Sequence, residues 1–600
     1  MGRPTSDTAR PARPARPARG LLALVLLALA WAFVMQVLGW AQTSNYALVK
    51  SLADGTASID RYHWETRDKA WTDEHFFSVK APGLPFVVLP LYEGMRALGA
   101  PEASRDVARA ARRSGESRWA YKGLLTHEYG FDPVRARLVR KEVEGEAPIV
   151  WALGLLGSVL PAFLLLLTVR AVVERVTPGM GTAAAVMLGA GTLVMVFASQ
   201  LFGHMLSALL AFAAFALLWR ERDGHARLAL VVAAGVLSGL AVTVEYPLAI
   251  AGAIVGCYAI SRSGPLARGG AYSAGVALGV APLLLYNQWA YGYATHLSYD
   301  NAVEHQGFTG HWTLGLNEGG FFGIGIPRPD AALELLISSR GLFVVSPIVV
   351  AAIAGTWLLY RSGRRAEART ITAVSLAFLV YDAGYWLPFG GGSPGPRFLI
   401  PILPFLCVGL GLALQRMPAV TLGLAVPSVL TMLLATATYP LIGDDDVGEW
   451  VHRVLEATFV NTPLVPLGVT GWLGVAPLLV LLAAAIACAA RATEGVDVRA
   501  DLRWGIRAVL AWGAIAVVGP APWGDAALLG NWDEFVLVLT GVVAGLAALA
   551  VAALRAGMPV RALAGGAGPE LAGGSPRVAW RRSAAGTEVV EGDPATDLAL

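Results

Sequence analysis

The feature that most restricts this chain is the recurrence of apolar runs long enough to cross a hydrocarbon layer. About 20 helical residues span a bilayer core of about 30 Å. Runs of that order fall at 20–41, 148–170, 180–198, 201–219, 227–244, 246–262, 270–290, 341–360, 369–389, 398–415, 419–440, 465–490, 504–520 and 535–556. Inside lipid every backbone N–H and C=O needs a partner, and a helix supplies one within its own segment. The pattern therefore predicts an all-α polytopic membrane protein of about 14 transmembrane helices. Only 15% of the 600 residues are charged, where soluble domains carry about 25%. A net charge of +3 with no basic stripe excludes a nucleic-acid binder.

Arginine placement sets the expected threading. Arg3, Arg10, Arg13, Arg16 and Arg19 precede the first run. Arg170 with Arg175, Arg220 with Arg222, Arg262 with Arg268, the Arg361–Arg369 group, Arg416, and Arg491 with Arg499 fall in alternate connections. Cytoplasmic loops are enriched in Lys and Arg, so this alternation predicts cytoplasmic N- and C-termini in a multi-pass cell membrane protein. The first run is read as a retained signal-anchor helix. Residues 82–99 are apolar but hold Pro82, Pro85 and Pro90, and counting them as a crossing would invert every later loop. They are expected to form a juxtamembrane or re-entrant helix, which makes 42–147 one large external loop.

The resulting division is a basic cytoplasmic tail at 1–19, a membrane module at 20–440 with external loops 42–147 and 291–340, further helices over 441–556, and a disordered cytoplasmic tail at 557–600. Asp444, Asp445 and Asp446 fall in a third external segment. Cys257, Cys407 and Cys488 each lie inside an apolar run and read as small buried hydrophobes, too far apart for a metal site.

The spans are nearly free of charge, whereas the external segments and outer helix ends carry Asp60, Asp68, Lys80, Glu245, Arg340 and Arg397. That layout suits a reaction at the lipid–water interface. Asp60 and Asp68 are carboxylates that could take a proton, although acids in a solvated loop usually serve solvation alone. Lys80 could meet a lipid phosphate or snorkel to headgroups. Arg397, in a turn rich in Gly and Pro, and Arg340, just before a span, could each fork onto a phosphate or anchor an interface. Glu245 and Tyr246 occupy a tight outer connection, and Asp382 is the clear acid inside a later span. All three are candidates for substrate binding. His63, His75 and nearby acids could hold a divalent ion, but their spacing fits no defined ligand set, so no metal ligand is assigned and no cofactor is certain.

The blocks FFSVKAPGLPFVVLPLY, LFGHMLSALLAFAAFALL, GLAVTVEYPLAI, SSRGLFVVSP and GGGSPGPRFLIPILPF, spread over about 40–440, resemble the C-type (GT-C) membrane glycosyltransferases. Within that class they look most like the family-39-like bacterial branch, alongside the protein O-mannosyltransferases and the aminoarabinose transferase of lipid A. The resemblance implies a sugar carried on a polyprenyl phosphate and transferred with inversion outside the cytoplasmic membrane. The acceptor would be a polysaccharide, a protein or a glycolipid. It also implies a base in the first external loop, either Asp60 or Asp68, and a donor-phosphate role for Lys80, which matches the lysine of a Lys-Pro-Pro-like turn with Ala81 in place of the first proline. No acid directly follows the first span, which departs from better-known members. A transporter or flippase of lipid-linked sugars without transferase activity is the competing class, and predicts a central cavity that changes sides. A scaffold is the third, and predicts no bound donor lipid.

Overall fold

The computed structural model describes residues 15–114, 133–303, 323–438, 447–493, 495–524 and 531–558. Asp444–Asp446, residues 304–322 of the second external loop, the first fourteen residues and nearly all of the 557–600 tail lie outside them. Met1–Ala556 is one compact unit; of a second, Gly557–Leu600, only Gly557 and Met558 are described.

The protein is a mostly helical, polytopic membrane protein. A helix lies on each of the expected apolar runs. By length and composition, seven helices among the described residues can cross a membrane, or up to nine if two bent pairs count as spans. The bent pairs are Pro329–Val345 with Ile348–Arg361, at 91°, and Arg397–Cys407 with Leu410–Arg416, at 56°. Four further apolar helices have 10–17 residues, Gly181–Gly191 and Leu228–Val244 among them. One expected run is broken by local structure. The run expected at 20–41 breaks into α1 (Ala15–Ala32), an extended link and α2 (Trp40–Ala53). Gly39 ends the link, its N–H donating to Gln42 Oε1 at 2.7 Å. This bond, the N3 half of a capping box, starts a new helix at Trp40.

Over one end of the bundle lies a layer built from the first long loop. It contains a small sheet that the all-α expectation omitted. Strands β1 (Lys69–Thr72) and β2 (His75–Ser78) pair antiparallel, with Lys69 opposite Ser78 and Thr72 opposite His75. Asp73 and Glu74 form the two-residue turn at φ 49° and 66°. Both central residues at positive φ define the hairpin turn whose twist matches the strands. β3 (Ala302–Val303) adds to the free edge of β1. Ala70, Phe77 and Ala302, opposite one another across the three strands, bury one face in a cluster with Leu48 of α2 and Tyr286 and Tyr291 of the helix Pro265–Tyr291.

Beyond the hairpin, α3 (Gly83–Ala97) occupies the proline-rich stretch expected as a juxtamembrane helix. Its 15 residues rise about 22 Å, too little for a 30 Å core. Leu84, Val88 and Tyr92 are buried while Val87 is exposed, as in a helix with one covered face. Gly83 permits the contact that anchors it, because a Cβ there would lie 2.6 Å from the Thr243 carbonyl oxygen. After α4 (Ala100–Arg113) the chain returns through α5 (Pro133–Gly154), continuous across a π-helical turn with α6 (Leu160–Val176). Buried Lys50 of α2 sits 2.7 and 2.5 Å from the two Glu65 oxygens and 2.9 Å from Glu146 Oε2 of α5. This ties α2 to the bundle. Burial raises the Glu65 carboxyl against the pull of Lys50.

The cysteines are free. Cys407 is buried and Cys488 half-buried, but Cys257 is exposed, correcting the expectation that all three are interior. An exposed position on an apolar helix is one that lipid covers.

Candidate active site

A cavity of about 210 Å³ opens beneath the small sheet. Asp68, Lys80 and Arg397 supply its charge; Trp40, Phe202, Tyr299, Tyr385, Trp386 and Phe398 supply aromatic wall; and Gly390–Gly392 present bare backbone.

The hairpin register brings the first two charges together. With Lys69 opposite Ser78, Asp68 and Lys80 both lie just beyond the open end of the ladder. Lys80 Nζ is 2.7 Å from Asp68 Oδ2, with each side chain 23% exposed. A chain of hydroxyls fixes the spacing. Ser44 Oγ donates to the Asp68 carbonyl at 2.5 Å and lies 2.7 Å from Ser78 Oγ, which accepts the Lys80 N–H at 3.1 Å. On its other side the Asp68 N–H donates to Thr66 Oγ1, whose hydroxyl donates to the Trp40 carbonyl. Base candidate, cation and aromatic wall are thus referenced to Trp40 and Ser44, in the first two turns of α2.

Arg397 enters from the opposite side, at the start of the bent pair. Its guanidinium lies 5.6 Å from the Phe202 ring centre and 5.4 Å from that of Phe398, and its buried Nε has no hydrogen-bond partner. Gly390 must be glycine for two reasons: its φ is +73°, and a Cβ would fall 2.4 Å from Arg397 Nε.

Arg340 does something else. It is 5% exposed, lies over the Phe389 ring at 4.5 Å, and donates to the carbonyl of Ser393 at 3.1 Å. It braces the Gly-rich loop from behind and does not line the cavity. The phosphate role expected from its position before a span therefore has no counterpart in the cavity lining; the guanidinium meets the loop's carbonyls.

Asp60 also stands away from the cavity. Its carboxylate accepts the Phe76 N–H at 2.6 Å and lies 2.7 Å from His75 Nδ1. It fastens the hairpin from outside, so of the two candidate bases only Asp68 faces the cavity. His63 is buried and stacks on Phe76, ring centres 4.1 Å apart. Among the described residues no group of three His, Cys, Asp or Glu side chains could hold a metal ion.

Glu245 lies one layer deeper. It lines a second cavity of about 50 Å³ with Tyr246, His204 and Asn45, and Lys80, Arg397, Tyr299 and Phe398 border both cavities. Glu245 Oε2 accepts from Ser207 Oγ at 2.6 Å. Its Oε1 lies 2.5 Å from His204 Nδ1, a close contact without the alignment of a hydrogen bond. Tyr246 packs edge-on against Tyr299. Asp382 is fully buried, neither carboxyl oxygen has a hydrogen-bond partner, and it lines neither cavity. Its helix ends two residues later, and Tyr385 and Trp386 beyond it reach the wall of the first cavity.

Behind the site, Lys69 of β1 is 3% exposed, with Nζ 3.1 Å from the His63 carbonyl, 3.3 Å from His63 Nδ1 and 4.8 Å from the Phe76 ring centre. Burial, and then the positive charge of Arg67, hold its ammonium down to about 7.

The sequence reading missed the aromatic wall, His204 and the two serines. The Tyr385–Trp386 pair just before a triple glycine and a histidine inside an apolar run were available signals, because ionisable groups within spans are rare. Ser44 and Ser78 carry none; only the fold brings them together.

No model of a known protein family matches the chain, and no curated protein matches it. Among solved structures, the crystal structure of ArnT from Cupriavidus metallidurans bound to undecaprenyl phosphate is similar over 89% of this chain and 79% of that one, at 15% identity and a TM-score of 0.41. The same protein in the apo state is similar over 89% and 78%, at 16% identity and a TM-score of 0.41.

Proposed function

We propose that this protein is a membrane glycosyltransferase that moves a sugar from a polyprenyl-phosphate donor to an acceptor hydroxyl on the extracytoplasmic face, with inversion. The observation that carries the reading is the Asp68–Lys80 pair at 2.7 Å on the wall of an aromatic cavity that Arg397 also enters. The sequence blocks that resemble C-type glycosyltransferases supply much of this wall.

In this reading Lys80 and Arg397 take the donor phosphate, an ammonium and a fork-shaped guanidinium around one anion. The aromatic side chains cover the sugar. Asp68 accepts the proton of the acceptor hydroxyl as its oxygen bonds to the anomeric carbon. The carbon–phosphate oxygen bond breaks on the opposite face, and the phosphate leaves with the electron pair, its charge balanced by the two cations. Asp68 and Lys80 neutralise one another in the empty site. Arrival of the phosphate draws Lys80 away and frees the carboxylate, so base and donor become available together. The arginine alternation supports cytoplasmic termini and an external cavity.

The test is transfer by purified protein from a polyprenyl-phosphate sugar, wild type beside Asp68→Asn and Asp60→Asn. Loss of product in Asp68→Asn alone is expected. Full transfer by Asp68→Asn would sink the base assignment.

A further inference from the structure

The bent pair that begins with Arg397 at the catalytic cavity ends in the helix Leu410–Arg416, at the opposite end of the bundle. There a second, larger space opens. It has a volume of about 540 Å³ and lies between α7 (Gly181–Gly191), Leu410–Arg416, Pro418–Ala437 and Gly471–Ala492. Met187, Leu414, Leu422, Val429 and Ile486 are typical of its lining, and Thr493 is the one polar side chain among the described residues there.

The space is open on one side among apolar helices, so in a membrane it takes an occupant from its surroundings. Water is a poor one, because the walls offer it almost no hydrogen-bond partner. Hydrocarbon fits. Along the helix from Pro418 the wall reaches Leu430, twelve residues or about 18 Å into the bundle at 1.5 Å per residue. That is close to the depth of one leaflet, half of a 30 Å core.

Basic residues end two of the wall helices, Arg416 closing Leu410–Arg416 and Arg491 in the last turn of Gly471–Ala492. Arg416 follows wall residue Leu414 by two positions and Arg491 follows wall residue Ala490 directly; both arginines are exposed. Neither forms an ion pair with a described residue. The nearby acids Asp497 and Asp501 are committed, Asp497 to Arg499 and Asp501 to the N–H groups of Ala419 and Val420, while Glu494 lies outside the described residues. Cations at the ends of membrane helices attract anionic headgroups.

We propose that this groove is a binding site for an anionic diacyl phospholipid of the leaflet opposite the catalytic cavity. One acyl chain lies between α7, Pro418–Ala437 and Gly471–Ala492, and the phosphate meets Arg416 and Arg491. The site is independent of the proposed transferase chemistry and shares no residue with it.

The test is native mass spectrometry of the full-length protein after exchange into equal amounts of dioleoyl-phosphatidylglycerol and dioleoyl-phosphatidylcholine. Wild type should retain phosphatidylglycerol over phosphatidylcholine by roughly tenfold, an effect within reach of two basic residues at the membrane surface. Arg416→Gln with Arg491→Gln should erase the preference, and Ala425→Phe with Val429→Phe, which fill the groove, should lower retention of both lipids. Equal retention of the two lipids by wild type would overturn the headgroup assignment, and undiminished lipid in the filled variant would overturn the site. Preferential retention of added undecaprenyl phosphate, lost in the filled variant, would overturn the proposed occupant. Because the filled variant could fail to fold, a photoreactive acyl phosphatidylglycerol is also applied to wild type. Label on peptides holding Met187, Val429 or Ile486 is expected, and label confined to other peptides refutes the proposal.

Discussion

Replacing Asp68 by asparagine should separate donor binding from turnover, in opposite directions. The Asp68 carboxylate and Lys80 ammonium are 2.7 Å apart and about three-quarters covered. A donor phosphate reaching Lys80 must first loosen this pair, which at such exposure costs about 1 kcal/mol. The phosphate then sits about 6 Å from a carboxylate of the same sign. With an effective dielectric of about 20 that repulsion is roughly 2.8 kcal/mol before screening, and solvent and salt reduce it to about 1 kcal/mol. Asparagine removes both costs while keeping the side chain's size. Donor affinity should therefore tighten by about 1–2 kcal/mol, or roughly 5- to 30-fold. Turnover should fall by about 10²- to 10⁴-fold, the contribution of a positioned proton acceptor. The assay is a titration with undecaprenyl phosphate in detergent, read by tryptophan fluorescence, beside single-turnover transfer with labelled donor. Weaker binding by Asp68→Asn would refute the competition between carboxylate and phosphate for Lys80. Unchanged turnover would refute the role of Asp68 as base. Asp60→Asn is the matched control: its amide oxygen can still accept the Phe76 N–H, and both quantities should stay within about twofold of wild type.

Other consequences follow from the same contacts. Ser44→Ala with Ser78→Ala removes the hydroxyls that set the Asp68–Lys80 spacing, and should lower single-turnover transfer about tenfold, with undecaprenyl phosphate affinity changed much less. Arg340→Met should lower the thermal midpoint by the equivalent of about 1–3 kcal/mol, because it leaves the Ser393 carbonyl without its donor; Arg397→Met should instead spare the midpoint and weaken undecaprenyl phosphate binding about 10- to 100-fold. Lys69 titrates near 7 in the folded protein and at 10.5 when exposed, so the folded state carries the cost of its charge in full below pH 7 and sheds it as pH rises from 7 to 10.5, at most about 5 kcal/mol. Lys69→Met should accordingly be more stable than wild type at pH 6, with the gap narrowing by pH 10, and parallel melting curves across that range would contradict the burial argument.

Much of the fold was legible because hydropathy and helix length report the same constraint. A helix occurs on every apolar run, and the stretch from Pro82 to Gly99 forms a helix too short to span, as its prolines and the arginine alternation required. The sequence reading faltered where tertiary contacts override composition. Residues 33–39 are as apolar as a span, yet Gly39 and Gln42 start a separate helix there. The strands were hidden because each has only four residues, too few for alternation to stand out, and a turn of Asp73–Glu74 lacks the Asn-Gly or Asp-Gly signature of its type.

The site divides along a similar line. Lys80, Arg397 and Asp68 could be nominated from residue type and position, since charge at the outer edge of an apolar module needs a reason. Which nominees share a cavity depended on register, which residue type does not encode. Asp60 and Asp68 are indistinguishable as letters in one loop, but the pairing of Lys69 with Ser78 sends Asp68 to the cavity side of the hairpin and leaves Asp60 to cap its outside. Arg340 and Arg397 are likewise two arginines beside spans. The difference between them is that loop carbonyls accept from the first, while the second lines the cavity and its buried Nε has no hydrogen-bond partner. An unmet donor that the fold has already desolvated is costly to keep. An anion in the cavity would relieve that cost, which makes Arg397, rather than the more deeply buried Arg340, the arginine on which donor affinity should turn.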